Sequence, residues 1–217
     1  MKQAFRKIRY AILELRYGGL RTFFRQLRRQ VYSRATFLGL EKALDGKNTP
    51  IPCGIRYSLR PASGKDMEEV LQRARTESKE SVHELIQRKW FYESGFRNCY
   101  VGRTDNGDEL CYIQWLVSSE DREAMNHGFK GRLPRLKEDE VLVENVFTFQ
   151  KYRRKGVMSS AVVELAEIAR EKGFKRMLAY VREDNIASLK AFEKAGFKKF
   201  EEIPEVKFLF FTKRKHR

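Results

Sequence analysis

The stretch from Glu140 to Phe197 constrains this chain more than any other. A strand-like run, Val141 to Thr148, feeds the turn Gln150-Lys151-Tyr152-Arg153-Arg154-Lys155-Gly156. Met158, Val162, Leu165 and Ala169 then define one face of a long helix that stops at Gly173. The first N–H groups of such a helix have no partner within it, and its dipole favours anions there. Gly156 lets the backbone approach a ligand closely, while Arg153, Arg154 and Lys155 add positive charge. A pyrophosphate suits the turn; a solvated basic loop is the plainer alternative. Arg176 to Val181 reads as a further strand, and Asn185 to Ala195 as a short helix ended by Gly196.

The flanking sequence alternates the same two kinds of element. Ile55 to Arg60 reads as a strand, and Asp66-x-x-Glu69 and Ser81-x-x-Glu84 as capping boxes that open helices. Asn98 to Thr104 and Leu110 to Val117 flank Asn106-Gly107, the signature of a β-hairpin. Ser118 to Glu138 reads as a long polar loop, and Phe197 to Glu202 and Val206 to Thr212 as two closing strands separated by Pro204. The pattern is an α/β chain of α+β type, a mixed sheet with helices packed on its faces.

Charge divides the chain further. Of 45 Lys and Arg against 29 Asp and Glu, 12 cations and only three acids fall in residues 1–49. Phe5, Ile8, Ile12 and Leu15 step at helical spacing, Gly18-Gly19 interrupts them, and Phe24, Leu27 and Val31 resume among arginines. Residues 1–49 therefore read as a basic amphipathic helical extension, and residues 50–217 as the main domain, joined through Gly46 to Gly54 with its Pro50 and Pro52. The extension fits a docked hairpin with solvated arginines or peripheral contact with anionic membrane; pairing with nucleic acid is the least favoured reading. No apolar run approaches the roughly 18 residues of a membrane span. Cys53, Cys99 and Cys111 show no CxxC spacing and lie far from the histidines, so neither a metal nor a disulfide framework is expected. A cytoplasmic location, in part at the inner membrane surface, is the resulting expectation.

The order of elements around the basic turn resembles that of the GNAT superfamily of acyl-CoA-dependent N-acetyltransferases. Arg153-x-x-Gly156-x-Met158 matches two of the three fixed positions of that family's Arg/Gln-x-x-Gly-x-Gly/Ala signature. Asn185 followed by a short helix ending in Gly196-Phe197 matches a later family element. The resemblance implies a mostly antiparallel twisted sheet flanked by helices and acetyl-CoA as cosubstrate. Backbone groups of Val146 and Thr148 would pair with the pantetheine arm, and the amides from Arg153 through Arg154, Lys155, Gly156, Val157 and Met158 to Ser159 would hold the pyrophosphate. Asn185, Ser188 and Phe192 would lie further along the cofactor, and Glu144 falls where several members place a general base.

A carboxylate in a partly dry cleft suits proton removal from an ammonium, and a backbone N–H near Thr148 would stabilise the oxyanion. Two departures matter. Met158 replaces the usual Gly or Ala, and Phe192 stands where many members carry a tyrosine acid, so no acid is assigned. Gln114, Trp115, Asn126 and His127 are candidates to line an acceptor pocket, with a core role for Trp115 and a solvated one for His127 as the plainer readings. The implied function is transfer of an acetyl group to a primary amine: an amino sugar, a small amine or a protein amine. A role near the membrane in cell-surface polysaccharide assembly fits the basic extension. The alternative is a non-catalytic acyl-CoA-binding module tethered by its N-terminus to membrane or RNA; a longer acyl or an aminoacyl donor stays open.

Overall fold

The computed structural model describes residues 32–74, 76–128, 133–208 and 211–214, together with Ile12. Strand β1 (Tyr32–Ala43) is followed by β2 (Tyr57–Pro61), helices α1 (Gly64–Arg73) and α2 (Lys79–Glu93), β3 (Cys99–Thr104) and β4 (Leu110–Val117). Helix α3 (Arg122–Gly128), β5 (Glu140–Thr148), α4 (Val157–Glu171), β6 (Arg176–Arg182), α5 (Ile186–Lys194), β7 (Lys198–Phe208) and β8 (Phe211–Arg214) complete the order. Among the described residues, eight strands form one sheet in the order β2-β3-β4-β5-β6-β1-β7-β8. Every neighbouring pair is antiparallel except β5 and β6, which run parallel because α4 carries the chain back between them.

Both early helices start one turn before their expected caps. Ser63 accepts from the Asp66 N–H while the Asp66 carboxylate accepts from the Ser63 N–H, closing a capping box; Ser78 caps α2 through the Ser81 N–H. The expected helical extension gives way to strand over Tyr32–Ala43, which lies between β6 and β7 rather than outside the domain. Arg34-Ala-Thr-Phe-Leu-Gly-Leu carries β-branched and aromatic residues that pair on both sides, and Gly39 fits because a Cβ there would come within 2.5 Å of Glu201 Cγ. The rest of the amphipathic pattern, from Phe5 to Leu15 and from Phe24 to Val31, lies outside the described residues, Ile12 apart.

The segment that crosses the boundary expected near residue 50 is bonded to the main domain. The segment after β1 is strapped along α4: Leu44 N–H donates to the Lys175 carbonyl, Asn48 reaches Glu167 through its N–H and Nδ2, and Gly54 N–H donates to the Lys155 carbonyl at 2.8 Å. Pro204 does not separate two strands. It lies inside β7 opposite Thr36, and among the described residues β8 pairs only from Glu205 onward, so no described ladder on that side is interrupted by the proline. Part of the expected loop after Ser118 is helical, as a single turn (Ser119–Asp121) followed by α3.

The two faces of the sheet are covered by different helices. Trp115 meets Phe91 of α2 edge-to-face at 5.5 Å and donates its Nε1 proton to the Phe96 carbonyl. Tyr57, which shares the opposite face with Tyr112, donates its hydroxyl toward Ser160 and Glu164 of α4. Val162, Leu165, Ala166 and Ala169 seat α4 on that second face with no more than 1% exposure.

Candidate functional site

The site forms where the parallel pair comes apart. The ladder between β5 and β6 runs from Glu140 opposite Arg176 to Val143 opposite Ala179 and stops there. Between Trp115 opposite Glu144 and Ile113 opposite Phe147, Gln114 alone faces two residues, so Asn145 and Val146 make a β-bulge. Asn145 has a φ of 52°, a left-handed conformation that asparagine tolerates better than most residues. A bulge bends its strand locally, and the β6 ladder ends two residues before this one, so the C-terminal half of β5 has no β6 partner. The bulge also leaves Glu144 and Phe147 on the same face of the strand although they are three residues apart, the face on which α2 packs.

At the end of β5 the chain makes a single helical turn (Gln150–Tyr152) and then the basic loop. Arg154 and Gly156 both have positive φ, 63° and 78°, so successive amides curl toward one side of the loop. A Cβ on Gly156 would sit 3.1 Å from the Pro52 carbonyl oxygen. Gly156 caps α4 with no side-chain bond, and the first-turn amides of Val157, Met158 and Ser159 find no acceptor among the described residues. These donors, the dipole of a 15-residue helix and the cations of Arg154 and Lys155 make an anion seat. The Arg153 N–H is not part of it, because it donates to the Gln150 carbonyl.

The edge of β5 beyond Val143 is partly engaged by the protein itself. Phe149 N–H donates to Cys111 on β4, so the alternation of the ladder turns the N–H and C=O of Thr148 outward. Arg153 Nε donates to the Thr148 carbonyl at 3.0 Å, and its Nη2 contacts Ser81 Oγ at 3.3 Å. Arg88 of α2 donates from Nε to the Asn145 carbonyl at 2.9 Å and from Nη2 to the Val146 carbonyl at 2.6 Å. The Val146 and Thr148 carbonyls expected to meet a ligand are thus held by two arginines that flank the Phe147 ring at 4.8 and 5.3 Å, leaving the outward Thr148 amide for an added chain. Arg88 was not among the expected site residues. Its one signal is position: on α2 it follows the buried Leu85 by three residues, so a cation falls on an apolar stripe.

Glu144 is half-buried, and its Oε2 accepts from the Asn145 N–H at 2.9 Å. The other expected residues divide. Asn185 caps α5, its Oδ1 accepting from the Ser188 N–H at 3.2 Å, so that oxygen and that amide already satisfy each other. Phe192 is buried and packs edge-to-face on Phe197 at 4.9 Å. Gln114 and Trp115 are both fully buried and, as strand neighbours, face opposite sides of the sheet; they do not line one pocket. Trp115 belongs to the core beside Phe91, and Gln114 accepts from the Tyr112 hydroxyl. Asn126 is exposed on α3, and His127 lies on the same helix.

Among the described residues, the parallel pair of this mixed sheet, β5 and β6, is followed by a basic loop and the N-terminus of α4. Residues 65–197 match the model of the acetyltransferase (GNAT) family, and the chain belongs to that family, whose members are acyl-CoA-dependent N-acetyltransferases. No curated protein matches the sequence. Among solved structures, the chain is similar to a GCN5-related glucosamine N-acetyltransferase region of a fungal multi-domain β-N-acetylglucosaminidase, with a TM-score of 0.59 and 13% identity over 84% of this chain and 22% of that one. A Drosophila protein (TM-score 0.53, 12% identity, 84% and 54% covered) and a GNAT-family acetyltransferase from Colwellia psychrerythraea (0.52, 13%, 82% and 57%) share the fold. The chain spans between about a fifth and three fifths of the length of these structures.

Proposed function

We propose that this protein transfers an acetyl group from acetyl-CoA to a primary amine, with Glu144 as the base that deprotonates the incoming ammonium. The observation that carries this reading is the pairing of an open strand edge with an anion seat: β5 parts from β6 after Val143, and the free first-turn amides of α4 follow within one loop. Those features fit acyl-CoA. The amides of Gly156, Val157, Met158 and Ser159 would hold its diphosphate, with Arg154 and Lys155 adding charge, and the Val146 backbone with the outward amide of Thr148 would hold its arm. Met158 occupies the last signature position through its amide, which a side chain does not remove. The bound cosubstrate supplies an activated acyl thioester.

The chain supplies the rest. Glu144, half-buried on the α2 face of β5, would take the proton that an ammonium must lose before its nitrogen can attack. Closure of the site between β5, α2 and the loop would keep water from competing with the amine. Phe192, buried against Phe197, supplies no proton, so the reading assigns no side-chain acid to the departing thiolate. The basic N-terminal residues favour an anionic or membrane-proximal acceptor, amino-sugar conjugates of the cell surface among them, because their charge promotes encounter. Thiol release from acetyl-CoA across a panel of amino sugars, polyamines, amino acids and peptides tests the reading. Turnover with at least one amine that drops in Glu144→Gln is the expected result. Coenzyme A binding without transfer to any amine would instead favour a non-catalytic binding module, the reading that Phe192 supports.

A further inference from the structure

We propose that Arg88 is a positioning residue of this site, taking the place of the missing strand along the open half of β5 and fixing the bulge that aims Glu144. The inference rests on the acyl-transfer reading above and deepens it. Past Val143, where the β6 ladder has ended, the carbonyls of Asn145 and Val146 have no partner on β6, and a carbonyl withdrawn from water without a donor is destabilising. One guanidinium answers both, at 2.9 and 2.6 Å, while its third nitrogen donates to the Glu84 carbonyl at 2.7 Å and ties the fork to α2. The side chain is only 9% exposed and lies over Phe147, so the fork is held from both sides. An ammonium has no such planar fork.

The two carbonyls Arg88 holds belong to the two bulge residues. Side chains alternate along a strand, and only the extra residue brings Glu144 and Phe147 to the same face. A bulge that relaxed into regular strand would turn Glu144 toward the α4 face and away from α2. Arg88 therefore sets the direction of the base through the backbone.

Its charge acts as well. The ionisable groups facing the guanidinium are Glu84 of α2, Glu144 of β5, Arg153 of the basic loop and Tyr112 of β4. Burial lowers the Arg88 pKa, and Glu84 and Glu144 offset that. Reciprocally, a cation close to a carboxylate favours its ionised form, the form in which it can accept a proton.

The experiment compares full-length wild type, Arg88→Lys and Arg88→Met by calorimetric titration with coenzyme A and by transfer from acetyl-CoA to the best amine of the panel, across the acidic limb of the rate profile. Arg88→Lys, which keeps the charge and loses the fork, should lower kcat about ten- to a hundredfold while changing the coenzyme A Kd less than about threefold. Arg88→Met should lower kcat further and move the acidic limb of kcat/KM to higher pH, with Arg88→Lys restoring the wild-type limb. Limbs that coincide in all three proteins, or parallel losses of coenzyme A affinity and kcat, would overturn the proposal and leave Arg88 a structural residue. If Arg88→Met fails to fold, the split between kcat and Kd in Arg88→Lys decides alone. A wild type that binds no coenzyme A and acylates no amine overturns the acyl-transfer reading, and this inference with it; an active wild type with unmoved limbs overturns only the role of Arg88.

Discussion

Glu144 and Gly156 carry the account at the scale of single residues, and each makes a separable demand. Glu144→Gln keeps the shape of the side chain and its ability to accept from the Asn145 N–H, but removes a base; kcat should fall about 10²–10⁴-fold with the coenzyme A Kd unchanged. Equal losses in both would mean that the residue binds rather than reacts. Gly156 holds a φ of 78°, and a Cβ there would press on the Pro52 carbonyl at 3.1 Å. Gly156→Ala should therefore cost about 1–2 kcal/mol of local strain and weaken coenzyme A about tenfold in calorimetry while leaving kcat at saturation close to wild type. Gly156 stood out in the sequence as a glycine in a basic turn before a helix, and Glu144 only through the resemblance to the GNAT family. Arg88 did not. It sits in no motif, and its partners are backbone carbonyls 57 and 58 residues away, which side-chain identity cannot reveal.

Among the elements, sequence periodicity located β3, β4, β5, α4 and β6 to within two residues at their ends, because apolar spacing and turn residues act locally. It failed where a strand is defined by its neighbours. The residues of β1 carry arginine, glutamate and lysine and look like the end of a basic helix; what makes them a strand is pairing with β6 and β7, elements some 140 to 170 residues later. The same tertiary pairing runs β7 through Pro204. A prediction follows for the join between β2 and α1. Burial by itself raises the Asp66 carboxyl, but hydrogen bonds from Arg60 and Ser63 outweigh burial and hold it far below the usual carboxylate range. A depressed folded pKa stabilises fully above the unfolded value of about 4 and loses that contribution as pH falls through the folded one. Asp66→Asn, which cannot titrate, should lose roughly 2–3 kcal/mol at neutral pH by chemical denaturation, and the gap to wild type should shrink below about pH 4. A gap that stays constant into acid would remove the ion pair as its cause.

For the whole molecule, the insertion of β1 changes how the basic N-terminus must be tested. Deleting residues 1–49 removes a strand that joins β6 to β7 and the first part of the strap along α4, so that protein should lose its cooperative thermal transition. Deleting residues 1–31 spares every described strand and should keep the transition, which makes it the right comparison for lipid binding. Sedimentation with anionic vesicles should then take down the full chain and leave the shorter one in solution, more so at low salt; equal partitioning of the two would exclude a membrane role for those residues.

Among the described residues, the half of β5 that β6 no longer pairs runs into the N-terminus of α4, which no side chain caps. Calorimetric titration of the full chain with coenzyme A, and separately with pantetheine, which lacks the diphosphate, tests that site most directly. One coenzyme A per chain, bound on the order of a hundredfold more tightly than pantetheine, is the result predicted from charge-assisted bonds to the loop. No binding, or equal affinity for the two, would contradict it.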